Sequence, residues 1–298
     1  MTQSEGLPSL IIAGVPKAGT TSVFDWLNAH PQAQGSTLKE TCFFADPGSH
    51  VFRSDFNSDL GLDTYRTVFP DVSAEDTLLF EATPSYIYSA RALDLIPKLP
   101  SNAKCLFILR EPSAQVRSTY QYYRNTWSYI PAEMSFADYL IAVRNQSHEF
   151  GGNELARDAL VNADYAAWLR LWRAQLGTER MKVCLFEDLK RDPGAFMATL
   201  ADWCGLDPVF YADFAFETSN QSYEVVNRSL HGLNMAVRDR LPKGRLYDLA
   251  RKAYRRLNTR PVERDADEQE LQRLKMEFAP TYSALEDEFG LDVRPWRD

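Results

Sequence analysis

The chain switches repeatedly between short continuous apolar runs and stretches in which apolar residues return every three to four positions. Residues 10–13, Leu-Ile-Ile-Ala, form such a run; it stops at Gly14, a Gly- and Thr-rich loop follows, and a helical spacing covers 22–29. Similar runs recur at 78–81, 104–109 and 181–186, with helical patterns at 90–95, 115–126, 164–176 and 194–204. A strand that is apolar on both faces must be covered on both faces, and the intervening helices supply the cover. The pattern predicts an α/β fold with a central, mainly parallel sheet flanked by helices, opened by a strand-loop-helix unit of the phosphate-binding kind. Strands assigned to one sheet lie on both sides of the polar stretches, so one domain over 1–298 is expected, with 1–8 as a flexible N-terminus.

Residues 45–65, rich in Asp, Ser, Gly and Asn, read as a long surface excursion, and 150–153 as a turn-rich break. The last third changes character. Residues 238–260 are locally basic, with Leu246, Leu249, Ala253 and Leu257 at helical spacing, which reads as a surface helix with a solvated basic face; 271–288 reads as one final amphipathic helix.

Charge narrows the function classes. With 41 acidic against 33 basic residues the formal charge is -8, so no nucleic-acid partner is expected, and any anionic ligand must be held by a local site. The apolar run at 10–15 is too short for a signal segment or a membrane span; no transmembrane segment is expected, and the reading is a cytoplasmic protein. Cys42, Cys105, Cys184 and Cys204 show no paired spacing and read as reduced core thiols. His30, His50, His148 and His231 show no ligand spacing, so no metal is expected.

The most informative segment is Gly14-Val15-Pro16-Lys17-Ala18-Gly19-Thr20-Thr21-Ser22. Its glycines allow close backbone approach, its amides can converge on one point, and the helix starting near Thr20 presents its positive end to an anion. The Gly14-to-Gly19 spacing is that of a nucleotide-triphosphatase P-loop, but Thr20 stands where that loop places its lysine, which here comes earlier, at Lys17. A second anion site follows the run at 104–109, where Arg110-Glu111-Pro112 ends the strand and Ser118 falls at the start of a helical pattern. An arginine there can grip a phosphate through two parallel hydrogen bonds, and ligands of open α/β sheets bind at that edge.

These residues resemble the PAPS-dependent sulfotransferase family, in its heparan-type and bacterial branch. Pro16, Lys17, Gly19, Thr20 and Thr21 match the family's P-[KR]-x-G-[ST]-[ST] loop, and Arg110 and Ser118 match its R-[DE]-P strand end and the serine at this offset. The resemblance implies a donor, 3′-phosphoadenosine 5′-phosphosulfate (PAPS), and a product, 3′,5′-adenosine bisphosphate. By that resemblance Pro16, Lys17, Ala18, Gly19, Thr20, Thr21 and Ser22 hold the 5′-phosphosulfate, with Lys17 at its bridging oxygen, and Arg110 and Ser118 hold the 3′-phosphate. The similarity continues through 165–176, Phe186-Glu187-Asp188-Leu189, Asp192-Pro193 and Cys204-Gly205-Leu206 to Leu274, Phe278, Pro280, Leu285, Gly290 and Trp296.

Lys39-Glu40-Thr41-Cys42-Phe43-Phe44 resembles the heparan-type pattern E-x-x-F-F, which implies that Glu40 is the base taking the acceptor's proton. Burial by Phe43 and Phe44 is expected to raise its pKa, with Lys39 opposing. Glu81-Ala82-Thr83-Pro84-Ser85-Tyr86 is similar to the family's E-K-[ST]-x-x-Y, but Ala82 stands at the lysine position, leaving Lys17, alone or with Lys39, to balance the leaving group. Lys39, Thr83, Ser85, Tyr86 and Tyr123 are candidate walls for donor or acceptor. Tyr120, Tyr123 and Trp127 share a helical face, more often core than pocket. The expected partner is an acceptor with a hydroxyl or amine, whether a small molecule, a sugar or a lipid. Two rivals stand beside this reading: a P-loop nucleotide kinase, with Glu81 as its candidate magnesium ligand, and a non-catalytic adenosine-bisphosphate-binding protein, for which Ala82 is the motivating departure.

Overall fold

Five strands, β1 (Leu10–Gly14), β2 (Ala33–Gly35), β3 (Leu78–Glu81), β4 (Lys104–Leu109) and β5 (Met181–Leu185), form one parallel sheet in the order β2-β3-β1-β4-β5. The computed structural model describes residues 6–71, 77–217, 224–225, 259–260 and 267–297. The two central strands are the apolar runs read from the sequence: every residue of β1 is buried, as is every residue of β4 after Lys104. The edge strand β5 is mostly half-buried. Edge strand β2 carries no apolar run; Ala-Gln-Gly is strand because its backbone pairs in register with 78–80 of β3.

Flanking the sheet are α1 (Thr20–Asn28), α2 (Leu62–Arg66), α3 (Ala90–Leu95), α4 (Pro112–Asn125), α5 (Phe136–Asn145), α6 (Glu154–Arg157), α7 (Ala159–Asn162), α8 (Tyr165–Leu176), α9 (Phe186–Arg191) and α10 (Pro193–Cys204). Helices α11 (Glu268–Glu277) and α12 (Ala279–Phe289) follow near the end of the chain. Helix α4 starts earlier than its apolar pattern because Glu111 caps it, accepting from Ser113 N at 2.8 Å and Ala114 N at 2.7 Å, with Pro112 in the first turn where its missing N–H costs nothing. Trp172 of α8 closes one part of the core, its ring 5.4 Å from Phe107 and its Nε1 donating to Ile87 O at 3.0 Å. Phe24 of α1 closes another, 5.0 Å from Phe80.

Four expectations are corrected. The polar stretch 45–65 is not wholly a surface excursion: it ends on Tyr65, fully buried, whose ring stacks on Phe43 at 4.6 Å. The last helix is two, α11 and α12, because Pro280 cannot continue the hydrogen-bond ladder and instead starts a new first turn. Trp127 lies beyond the end of α4 and is 44% exposed, while Tyr120 and Tyr123 are buried. All four cysteines are free, but Cys184 and Cys204 are only half-buried. The basic segment 238–260 lies outside the described residues except for its last two, Thr259–Arg260, which pair antiparallel with Glu224–Val225. No helix among the described residues is long and apolar enough to cross a membrane.

Candidate functional site

Strands β1 and β4 are neighbours whose connections leave in opposite directions, β1 toward β2 and β4 toward β5. Such divergence leaves a crevice beyond the carboxyl ends of the two strands. The residues there are Lys17 and Arg110.

The loop after β1 is held by Val15 N, which donates to Ile108 O at 3.0 Å. Lys17 (φ 72) and Gly19 (φ 82) both take the left-handed conformation, turning the chain sharply into α1. Gly19 is required twice over: besides its φ, a Cβ there would lie 2.8 Å from Leu189 Cδ2 and 3.0 Å from Phe186 Cδ2. No side chain caps α1, so its first-turn amides, at Thr20, Thr21 and Ser22, keep their hydrogen-bonding capacity for a ligand at the helix's positive end. Ala18 and Thr20 are buried, and Pro16, Thr21 and Ser22 half-buried.

Two side chains from beyond β4 brace this loop. Arg110 Nη1 donates to Lys17 O at 3.1 Å, and Gln115 Nε2 to Pro16 O at 3.2 Å. The Lys17 ammonium sits 3.7 Å from the centre of the Tyr122 ring. Burial first, then the nearby Arg110 charge, pulls the Lys17 pKa down to about 8; Glu40 opposes the shift and Lys39 adds to it. Gln115, Ser118 and Tyr122 lie three and four positions apart, on one face of α4, and the first and last both reach the loop. Ser118, between them, is buried. Gln115 was not singled out from the sequence, although its spacing from Ser118 was the available signal.

The C-terminal elements brace the chain next to Arg110, whose guanidinium lies 5.3 Å from the Phe186 ring. Glu187, whose charge favours the Arg110 cation, accepts from Glu111 N at 3.2 Å and from Trp296 Nε1 at 2.8 Å. Glu111 in turn accepts from Tyr282 Oη of α12 at 2.6 Å.

Across the crevice, Glu40 is exposed, and its carboxylate is paired with Lys39 Nζ at 2.9 Å. The expected burial by Phe43 and Phe44 does not occur. Both rings turn into the core, where Phe43 packs on Phe56 and Tyr65, and Phe44 on Tyr65 and Tyr86. Lys39 O accepts from Ala82 N at 3.0 Å, so this lysine is on the wall where Ala82 stands.

Glu81 is fully buried, and its two oxygens accept from Thr41 Oγ1 at 3.0 and 2.9 Å, Thr83 Oγ1 at 2.6 Å, Tyr65 Oη, and Tyr86 Oη at 3.3 Å. Thr83 and Tyr86 therefore spend their hydroxyls inside the protein, and Glu81, the rival kinase reading's metal ligand, is wrapped by four side chains. Burial is the main cause raising the Glu81 pKa, against these hydrogen bonds. Ser85 is half-buried and Tyr123 buried.

Comparison with known proteins places the chain in a family. The model of the Sulfotransferase family matches residues 8–213. The bifunctional heparan sulfate N-deacetylase/N-sulfotransferase 4 of Mus musculus is 28% identical over 212 residues, covering 68% of this chain and 23% of that protein. The heparan sulfate glucosamine 3-O-sulfotransferase 3A1 of Mus musculus is 28% identical over 203 residues, covering 68% and 47%. The chain thus spans less than half the length of either relative. A crystal structure of a sulfotransferase from Alicyclobacillus acidocaldarius shares the fold with a TM-score of 0.68 at 22% identity, over 98% of this chain and 99% of that one. Since the family match runs from before β1 to beyond α10 and takes in both the Lys17 loop and the Arg110 strand end, the chain belongs to the Sulfotransferase family.

Proposed function

We propose that the chain transfers a sulfuryl group from PAPS to a hydroxyl or amine of an acceptor, with Glu40 as general base and Lys17 at the leaving oxygen. One observation carries the reading: Lys17, Arg110 and the uncapped start of α1 converge at adjacent strand ends, with Glu40 close enough to act on the Lys17 charge. A donor with a phosphate at each end of one nucleoside suits two cations and a helix N-terminus set side by side. The acceptor oxygen or nitrogen forms a bond to sulfur as the bond from sulfur to the bridging phosphate oxygen breaks. Glu40 takes the acceptor's proton, and the electron pair left on the phosphate oxygen is balanced by the Lys17 ammonium. Lys39, on the Ala82 wall, holds the Glu40 carboxylate before reaction and adds a second positive charge to the site.

The test combines calorimetric binding of 3′,5′-adenosine bisphosphate with transfer from sulfur-labelled PAPS to an extract of candidate acceptors. Glu40→Gln is expected to lower transfer by about 10²–10⁴-fold with bisphosphate affinity retained, and Lys17→Ala to weaken both. Unchanged transfer in Glu40→Gln removes that residue from the mechanism. Absence of bisphosphate binding to the unaltered protein overturns the donor.

A further inference from the structure

The segment that carries Glu40 runs on into the wall of a cavity of about 240 Å³, whose other walls are the turn after β3 and the start of α6. The charged groups of this cavity are already matched within the protein. Asp46 accepts from Ala90 N at 3.0 Å and Arg91 N at 2.8 Å. Glu154 accepts from Ser49 Oγ, and from His50 through its N at 3.1 Å and Nδ1 at 2.8 Å. Arg157 forks onto Asp158 at 3.0 and 2.8 Å. Two further arginines of the neighbouring segments, Arg53 and Arg91, pair with Asp55 and Asp59.

What is left unmatched is neutral. Tyr88, half-buried in the cavity wall, carries a hydroxyl that is shut off from solvent and has no hydrogen-bond partner. A buried hydroxyl without a partner costs stability and is retained where a ligand completes it. Half-buried Ser85 stands in the same wall, three residues away. The cavity is joined to the Lys17 side of the site through aromatic rings: His50, bonded to Glu154 of the cavity wall, lies 6.3 Å from the Tyr123 ring, and Tyr123 packs at 5.1 Å on Tyr122, the ring beneath the Lys17 ammonium.

We propose that this cavity is the acceptor subsite and takes a neutral, polyhydroxylated group the size of a single sugar-like ring, hydrogen-bonded by Tyr88 and Ser85. The inference rests on the sulfuryl-transfer reading above and narrows its acceptor. A polyanionic chain needs a local excess of cations, because desolvating its sulfates or carboxylates without new partners is costly. Around this cavity the carboxylates Asp46, Asp55, Asp59, Glu154 and Asp158 outnumber the arginines Arg53, Arg91 and Arg157, so the local field repels a polyanion. A neutral polyol asks only for hydroxyl partners, which the wall supplies.

The experiment measures steady-state transfer at saturating PAPS to neutral methyl glycosides and polyols and, in parallel, to sulfated glucosamine oligosaccharides, for the unaltered protein and for Tyr88→Phe. The neutral acceptors are expected to have the higher kcat/KM. Tyr88→Phe is expected to raise their KM by about tenfold, the effect of one lost hydrogen bond, with kcat and the Kd for 3′,5′-adenosine bisphosphate unchanged. Because Tyr88 Oη has no partner in the protein, the melting temperature of Tyr88→Phe without acceptor stays level or rises, which separates recognition from folding. A preference for the sulfated oligosaccharide, or an unchanged KM in Tyr88→Phe, overturns the neutral subsite while bisphosphate binding and transfer leave the parent reading standing. Failure to bind the bisphosphate, or transfer to no acceptor, overturns both.

Discussion

Glu40 and Glu81 belong to one wall of the crevice, yet their surroundings are opposite. Glu81 ends β3 with no exposure and accepts hydrogen bonds from four side chains, two of them from the segment 41–65 that precedes the strand. Glu40 stands in solvent, with Lys39 paired to it across a half-exposed contact. A saturated, buried carboxylate organises the fold around itself and has nothing left to offer a ligand. A carboxylate held by one solvated ion pair is cheap to release, since such pairs contribute about 0–1 kcal/mol. Lys17 shows the same distinction among the cations: it is half-buried against an aromatic ring, with Arg110 raising the local positive charge, so an incoming anion relieves what the fold leaves unbalanced.

Substitution at the two glutamates tests that contrast at its widest. Glu81→Ala removes the common acceptor of the Thr41, Tyr65, Thr83 and Tyr86 hydroxyls, leaving buried donors unpaired; the expected loss is on the order of 4 kcal/mol, a drop of roughly 10 °C in melting temperature. Glu40→Ala should stay within about 0.5 kcal/mol of the unaltered protein. Thermal and urea unfolding of the two variants read this directly, and equal losses would erase the distinction between buried hub and exposed carboxylate.

A smaller effect separates the cation site from the rest of the surface. In the ligand-free chain Lys17 loses its proton near pH 8, whereas an anionic ligand favours the charged form. Above about pH 7, where the ligand's phosphates are fully ionised, the Kd for 3′,5′-adenosine bisphosphate should be level up to pH 8 and rise by up to tenfold per pH unit beyond it, because binding must then take up a proton. Lys17→Arg, charged throughout, should remove the break. The same depressed pKa has the opposite sign for stability: from pH 8 toward the ordinary lysine value of 10.5 the unfolded chain holds more protons at this position than the folded one. The Lys17 contribution therefore becomes less unfavourable as pH rises through that window.

The strand-to-helix loop at 14–22 and the arginine at the end of β4 were legible in the sequence because their demands are local. The left-handed backbone at Lys17 and the uncapped helix start were not, since both depend on how the loop closes against α4 and α9. The apolar runs located β1, β3, β4 and β5 to within a residue at either end. Strand β2 was invisible, since only its pairing makes it a strand. The Glu40 environment was misread for a long-range reason: Phe43 and Phe44 are drawn inward by Phe56 and Tyr65, which lie in a stretch whose composition reads as polar loop. The support behind Arg110 was beyond local reading too, as Trp296 meets Glu187 across 109 residues of chain.

The smallest effect concerns Tyr122, the residue that links α4 to the lysine. Its ring lies 3.7 Å from the Lys17 ammonium, a contact worth roughly 0.5–2 kcal/mol depending on how dry it is. The ring stabilises the charged lysine and fixes where the ammonium sits above the loop. Tyr122→Leu keeps apolar bulk but loses the π face, so the Lys17 pKa should fall further and the break in the pH profile of bisphosphate binding should move below 8. At neutral pH the affinity should weaken by about threefold to fivefold. Tyr122→Phe keeps the π face and should reproduce the unaltered profile. A purely structural role for Tyr122 would lower affinity at every pH alike and leave the break in place, and that outcome would detach this ring from the charge state of Lys17.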